Sequence, residues 1–428
     1  MGFWFLSLGL KMNNKPYCYA PFVHLYQDYS TAKGDTYLDN KICCVARHTV
    51  PSDNNTLEHK WTSKYLQDVR QRMLDPNASL PECETCQLIE ENGAVSDRIH
   101  YHNRFDKTGI ELDVEQGNQY GGPIDFDLRL NNLCNLKCRM CGSSSSSQYD
   151  KEFKKHKDTL KPFYVKHGIK HIHKNLSQYE DVDEVDDKKN VQYLKSVISS
   201  GRLERIKFLG GEPTIMPGVT ELLEHMIEHK QTDVELFFTT NCTNDNTRFV
   251  DLIKQFTKVR FHYSVDGIED TVEYIRAPVK WKTINEHIDV LTDLTSSEFN
   301  SEVNMTIQAY NIHNLKDYVY WLKDLNTRTN KTVGMNTVVL YQPYYMSYDV
   351  LPLEYRNKYL QELLDDPIMD WDIIKNGPLK SSLTMMLKNQ TVNSEAQQAF
   401  IDGTRVIDQI RNQNIGDYIP ELKELVYG

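Results

Sequence analysis

Three cysteines, Cys134, Cys138 and Cys141, stand in the spacing C-x3-C-x2-C within NNLCNLKCRMCG. Three closely spaced thiolates can hold three irons of a [4Fe–4S] cluster and leave the fourth iron open to a ligand. A closed zinc site calls for a fourth Cys or His nearby, and none follows in the polar run from Gly142 to Tyr149. On spacing alone a structural metal held by three cysteines stays open as the alternative. Three later segments carry polar groups of the same kind. Leu209-Gly210-Gly211-Glu212-Pro213 joins two glycines, which permit close backbone approach, to a carboxylate. Thr239-Thr240-Asn241-Cys242-Thr243 and Ser264-Val265-Asp266-Gly267 follow. Singly these read as a turn, a helix cap and a tight turn.

Such groups need elements that bring them to one place. From about Ile124 to Tyr345, apolar strand-like runs alternate with amphipathic helical stretches, the signature of βα units and a parallel sheet. The strand candidates are IDFDLRL, RIKFLGG, VELFFTT, VRFHYSV, EVNMTIQA and TVVLY. Six units make an incomplete barrel of the TIM type, a partial (β/α)6. Each motif falls at the C-terminal end of its strand, the face of a β/α barrel where the connecting loops converge and active sites lie. After Met346 the pattern is helical, with Leu353 to Leu364 and Glu395 to Ile410 as helices, and it serves as a packing element or a lid. Between the first and second strands lies an insertion over about 150–190. Its segment Lys151 to Lys174 is rich in Lys and His and its segment Glu180 to Asp187 is acidic. These are read as solvated surface segments of opposite charge, with His171 and His173 unliganded. A lid for an acidic partner or an RNA backbone is the alternative.

The ordered set, C-x3-C-x2-C and then GGEP, resembles the signature of the radical S-adenosylmethionine (SAM) superfamily, and the resemblance covers about Ile124 to Tyr345. It implies that the unique iron binds the amino and carboxylate groups of SAM and that reduction releases a 5′-deoxyadenosyl radical. By the same resemblance Gly210, Gly211 and Glu212 are the segment receiving the methionine amino group, and Asn241 and Ser264 contact ribose or carboxylate. Arg276, in EYIRAP, is a candidate partner for the SAM carboxylate because a guanidinium grips a carboxylate bidentately; a surface ion pair is its alternative. Gln308 and Asn311, in IQAYN, and Tyr341 would meet SAM or substrate, or stand as ordinary residues of the barrel mouth. The sequence departs from the family in having Met140 where an aromatic residue is frequent before the third cysteine. Cys242 stands where the family commonly has Gly and is read as a small packed residue.

A second group of cysteines precedes the barrel. Cys83 and Cys86 form C-x2-C in a Pro-flanked CETC, while Cys18 and the Cys43-Cys44 pair lie on or beside the strand-like pieces PFVHLYQDY and TYLDNKICCVA; a helical stretch runs from about Lys60 to Leu74. Four of the five would close a second site, with Cys43 preferred over Cys44. The segment resembles the twitch module, the half-size relative of the SPASM domain, placed N-terminally, which implies an auxiliary [4Fe–4S] cluster. A zinc ribbon made by the same cysteines is the alternative. The domains expected are 13–105 for this module, 106–345 for the barrel and 346–428 for the helical extension.

The chain has 428 residues, 39% hydrophobic and 25% charged, and no apolar run approaches the length of a membrane span. Met1 to Leu10 is apolar but lacks the basic region and cleavage site of a signal peptide, and is read as an extra start or a stray extension. A formal charge of −11 disfavours broad binding to nucleic acid. Nine cysteines, an odd count in clusters without an export signal, fit a reducing, cytoplasmic setting in which thiols bind metal. The function expected is a radical SAM oxidoreductase or maturase. Its radical takes hydrogen from an unknown substrate, a peptide or protein side chain or a small alcohol. The auxiliary cluster relays electrons, and flavodoxin or ferredoxin serves as reductant. A radical SAM enzyme acting on RNA or a nucleoside is one alternative. An inactive iron–sulfur or zinc scaffold is the other, and it would show an eroded SAM motif. No catalytic acid or hydrogen donor is named.

Overall fold

The computed structural model of the protein describes residues 16–27, 29–32, 35–38, 41–47, 56–169, 184–244 and 246–428. Met1 to Leu10, His171, His173 and the start of the acidic run lie outside the described residues. Five strands come first: β1 (His24–Tyr26), β2 (Tyr29–Ala32), β3 (Asp35–Leu38), β4 (Leu112–Asp113) and β5 (Gly117–Asn118). Six follow: β6 (Asp125–Leu128), β7 (Arg205–Phe208), β8 (Glu235–Thr240), β9 (Val259–Ser264), β10 (Ser301–Ile307) and β11 (Val333–Val339). One sheet runs in the order β1-β6-β7-β8-β9-β10-β11, and β2-β3 and β4-β5 are separate pairs. The registers within that sheet are parallel, for example Phe237 beside Arg260 and Asn304 beside Ser264. Helices connect the strands from β7 onward, as a mixed α/β fold with a partial TIM-type sheet requires.

All six expected strands form, and β1 adds a seventh that the sequence reading placed only in the cysteine-rich module. PFVHLYQDY is not one strand. Ala20–Val23 is a short helix with Pro21 in its first turn, and only His24–Tyr26 extends, His24 lying opposite Asp125. The stretch expected as one helix from Lys60 to Leu74 is two, Leu57–Trp61 and Lys64–Leu74. It breaks where the Ser63 hydroxyl caps the second helix by accepting from the Leu66 N–H. The Lys-rich insertion also departs from a purely solvated segment. Ser147–Lys155 and Lys157–Lys166 are helices that bury Phe153, Leu160 and Phe163 and leave their lysines outward.

The chain divides into two compact units, residues 1–30 with 37–127, and residues 31–36 with 128–428. In the first, Arg70 is fully buried. Its guanidinium lies 4.3 Å over the Trp61 ring and donates to the carbonyls of Pro21 (2.8 Å), Glu115 (3.1 Å) and Trp61 (2.9 Å). One arginine thereby ties three separate segments together.

In the second unit the two faces of the sheet differ in character. Phe208, Phe238 and Phe261 stack along one face at 5.2 and 5.6 Å, and Phe249 of the helix Thr247–Ile253 meets Phe238 edge-on. Residues at alternate positions show the other face, and it is polar. Lys207 and Arg260 lie 4.5 and 4.2 Å from the Phe237 ring, and Asn336 donates to Asn304, which in turn faces His262 Nδ1 at 3.2 Å. Burial, then Lys207 and Arg260, push His262 down to about 3. Its unfolded value is near 6.5, so between the two values only the unfolded chain takes the proton. Stability is complete above about pH 6.5 and is lost as pH falls, by at most about 1.4 kcal/mol per pH unit. Thermal melts from pH 7 to pH 4 should therefore show a shallower acid decline for His262→Gln than for wild type, and parallel curves would contradict it.

After β11 the chain is helical, with Leu353–Leu364 and Ser394–Arg411 where the sequence pattern placed them. Asn393 caps the second by accepting from the Ala396 N–H, and Asn412 ends it in a left-handed conformation. Among the described residues no helix is long and apolar enough to cross a membrane.

Candidate iron–sulfur and SAM site

The loop after β6 carries Cys134, Cys138 and Cys141, and its shape is set by its neighbours on both sides. Ser147 Oγ accepts from the Cys134 N–H at 3.1 Å, and the Leu136 N–H points at the Cys134 sulfur at 3.4 Å. Further along, the N–H groups of Lys137 and Arg139 donate to the carbonyls of Ala277 and Ile275, both at 2.8 Å. This pairing places Cys138 opposite Arg276. Arg276 Nη1 lies 3.8 Å from the Cys138 sulfur, while its Nε and Nη2 bind Asp266 Oδ2 at 2.8 and 2.7 Å. Asp266 is fully buried and its other oxygen accepts from the Thr306 N–H at 2.7 Å. Arg276 thus stands in a buried ion pair, and the edge that would grip a carboxylate bidentately is turned to Asp266.

The thiols feel this setting. A hydrogen bond from Cys141 holds Cys138 down at about 7 against its burial, with Arg276 acting in the same direction, and Cys141 is correspondingly raised. Burial pushes Cys134 up to about 11.

The end of β7 closes on the same loop. Gly210 and Gly211 have φ of +66° and +49°, and a Cβ on Gly211 would come within 2.3 Å of the Leu133 carbonyl oxygen. The Glu212 N–H donates to that same carbonyl at 2.7 Å. Glu212 itself is fully buried, and its carboxylate accepts from the Thr214 N–H (3.2 Å) and hydroxyl (2.7 Å), the Thr240 hydroxyl (2.8 Å) and the Asn241 N–H (2.6 Å). Burial raises its pKa, opposed by these donors. The side chain therefore joins the ends of β7 and β8. Asn241 Nδ2 reaches Asn135 Oδ1 at 2.9 Å and lies 3.9 Å from the Cys134 sulfur. Asn311 Nδ2 donates to the carbonyls of Asp266 and Thr306, and Gln308 is fully buried with Oε1 lacking a hydrogen-bond partner. Ser264 ends β9. Tyr341 lies two residues beyond the end of β11 and is 74% exposed.

Asp266, Asn135 and Thr240 carry much of this geometry and had no role in the sequence reading. The signal for Asp266 was present, since it lies in the strand-end segment SVDG ten residues before Arg276. Cys242 is buried with φ +60°, which gives a physical reason for glycine at this place. Cys242→Val should lower unfolding stability by about 1–2 kcal/mol because a β-branched residue resists that conformation. Urea titration measures it, and an unchanged midpoint would count against the strain.

In the first unit Cys18, Cys43, Cys83 and Cys86 are buried at 5–9% exposure, whereas Cys44 is exposed. Burial raises the Cys43 thiol, with Cys18 adding to it, and burial pushes the Cys83 thiol up to about 12, with Cys86 adding to it. Among the described residues, the groups of three or more His, Cys, Asp or Glu ligand atoms within 4.8 Å of one another are His24-Asp125-Asp127 and His225-Glu228-His229.

The family model of the radical SAM superfamily matches residues 128–322. No curated protein sequence matches the chain. Similar solved structures include Streptococcus suis SuiB bound to S-adenosylmethionine, 12% identical over 79% of this chain and 68% of that one, with a TM-score of 0.36. SuiB bound to the precursor peptide SuiA is 12% identical over 91% and 78%, with a TM-score of 0.37. The anSMEcpe enzyme with bound AdoMet and the Cp18Cys peptide is 15% identical over 56% and 58%, with a TM-score of 0.33.

Proposed function

We propose that this chain, whose residues 128–322 match the family model of the radical SAM superfamily, is a radical SAM oxidoreductase or maturase whose barrel cluster is held by Cys134, Cys138 and Cys141. One observation carries this reading. Cys134 and Cys138 lie in one buried cluster with Cys141 packed against it, and the side chains that approach the first two, Asn241 at 3.9 Å and Arg276 at 3.8 Å, are not residues that ligate iron. A [4Fe–4S] cluster there, with SAM on its open iron, supplies a 5′-deoxyadenosyl radical that takes hydrogen from a substrate.

The chain's own share is binding, orientation and exclusion of water. Gly210 and Gly211 present backbone to the methionine amino group, and Glu212 acts by fixing that backbone rather than by reaching SAM. Asn241 and Ser264 meet ribose or carboxylate, and Arg276 offers Nη1 beside Cys138. Gln308, with a buried acceptor still to be satisfied, turns toward SAM or substrate. Tyr341 stands at the outer edge of the mouth.

In the N-terminal unit Cys18, Cys43, Cys83 and Cys86 hold an auxiliary [4Fe–4S] cluster in a twitch-like module. Their burial supports Cys43 over Cys44. A cluster held there would supply a route for electrons to or from the substrate, a peptide or protein side chain or a small alcohol, with flavodoxin or ferredoxin as the reductant of the barrel site.

Anaerobically reconstituted protein should contain about eight irons and, with dithionite and SAM, form 5′-deoxyadenosine. About four irons with one zinc would overturn the auxiliary cluster, and a fully loaded protein that forms no 5′-deoxyadenosine would overturn the enzyme.

A further inference from the structure

We infer that the C-terminal segment is a brace for the three-cysteine loop, acting through Asp408 and Arg411 as positioning residues; the inference rests on the proposed reading of that loop. Arg139, next to Cys138, is fully buried with its guanidinium 3.6 Å over the Tyr274 ring. Its Nη2 donates to Asp408 Oδ1 at 2.6 Å and to Gln413 Oε1 at 3.0 Å. Asp408 also accepts from the Tyr274 hydroxyl (2.7 Å), the Ile415 N–H (2.8 Å) and the Tyr427 hydroxyl (3.0 Å), so one carboxylate gathers the tail around the loop arginine. Three residues on, and so on the same side of the helix Ser394–Arg411, Arg411 donates through Nη2 to the Lys137 carbonyl at 2.6 Å. It also grips Glu152 at 2.8 and 3.0 Å.

Lys137 and Arg139 flank Cys138. Their N–H groups are held by Ala277 and Ile275, and the Lys137 carbonyl and the Arg139 side chain are held by the tail. Cys138 is thereby fixed from both neighbours. A loop of this length without regular hydrogen bonding would otherwise sample many shapes, and ordering it before the metal arrives removes that entropy from the binding step. The extension left open as a packing element or a lid thus acquires a specific task.

The test uses full-length, anaerobic protein with three variants. Arg411→Met keeps the side-chain stem and removes the bonds to Lys137 and Glu152, and Arg411→Lys restores the charge. Asp402→Asn is the control: it lies on the same helix but pairs with Lys166 and His167 instead. In metal-free protein, alkylation of each cysteine followed by mass spectrometry should accelerate about tenfold at Cys134, Cys138 and Cys141 in Arg411→Met. Arg411→Lys should recover part of this, Asp402→Asn should show none, and Cys83 and Cys86 should not change. In iron-loaded Arg411→Met the paramagnetic resonance spectrum of the reduced barrel cluster should shift. Loop rates within about twofold of wild type, equal acceleration in Asp402→Asn, or equal acceleration at Cys83 and Cys86 would overturn the brace. Should Arg411→Met fail to fold, Arg411→Lys carries the comparison, since it keeps the charge and loses the planar fork. Wild-type protein that takes up no iron at the loop would defeat the reading of the site, while the alkylation rates would still decide the brace.

Discussion

Cys138→Ala should abolish 5′-deoxyadenosine formation, by about a thousandfold or more, and lower the iron content from about eight to about four per chain. Cys138 is the central thiol of the loop, lowered by the hydrogen bond from Cys141 and by Arg276, whose Nη1 lies 3.8 Å from its sulfur. Its removal leaves two thiols, too few to hold three irons. The irons that remain should belong to the auxiliary site, and a further Cys83→Ala should remove them. Retained 5′-deoxyadenosine in Cys138→Ala, measured by chromatography after anaerobic turnover, would refute the ligand set.

Asp266→Asn should destabilise the protein by about 3–5 kcal/mol, the range found when one partner of a buried ion pair is removed. Asp266 and Arg276 are both buried, and the neutral amide would leave the guanidinium uncompensated beside the cysteine loop. The paired replacement Asp266→Leu with Arg276→Met removes both charges and should recover most of that loss, while SAM cleavage stays impaired because no cation then faces Cys138. Denaturant titration of the three proteins gives the stabilities. A single variant as stable as wild type would show that the pair is not what holds the end of the helix Glu269–Ile275 against the segment after β9.

The parts of the fold that were legible are those in which sequence neighbours decide the structure. Alternation along β9 and β10, and the helical spacing of Leu353–Leu364, need only local periodicity. The strand-end motifs were legible for the same reason, because each follows directly on its strand. Distant partners were not. β1 is three residues long and gains its place by pairing with Asp125–Asp127, a hundred residues later. Arg276 was read as facing ligand because the backbone pairing of 137 and 139 with 277 and 275, which turns it between Asp266 and Cys138, leaves no mark in either segment alone. Asp408 lies 269 residues from the Arg139 it binds, on a helix whose sequence looks like ordinary amphipathic packing. The Glu212 carboxylate was expected to be part of the ligand-binding segment, and its four protein donors became visible only when the ends of β7 and β8 were adjacent.

The most direct measurement is paramagnetic resonance on the Cys83→Ala, Cys86→Ala variant, in which the barrel loop is the remaining cluster site. Reduced anaerobically, it should give a [4Fe–4S]⁺ signal whose g-values move when SAM is added, because the ligand takes the iron that three thiolates leave open. A signal indifferent to SAM, or no iron signal from that loop, would contradict the account.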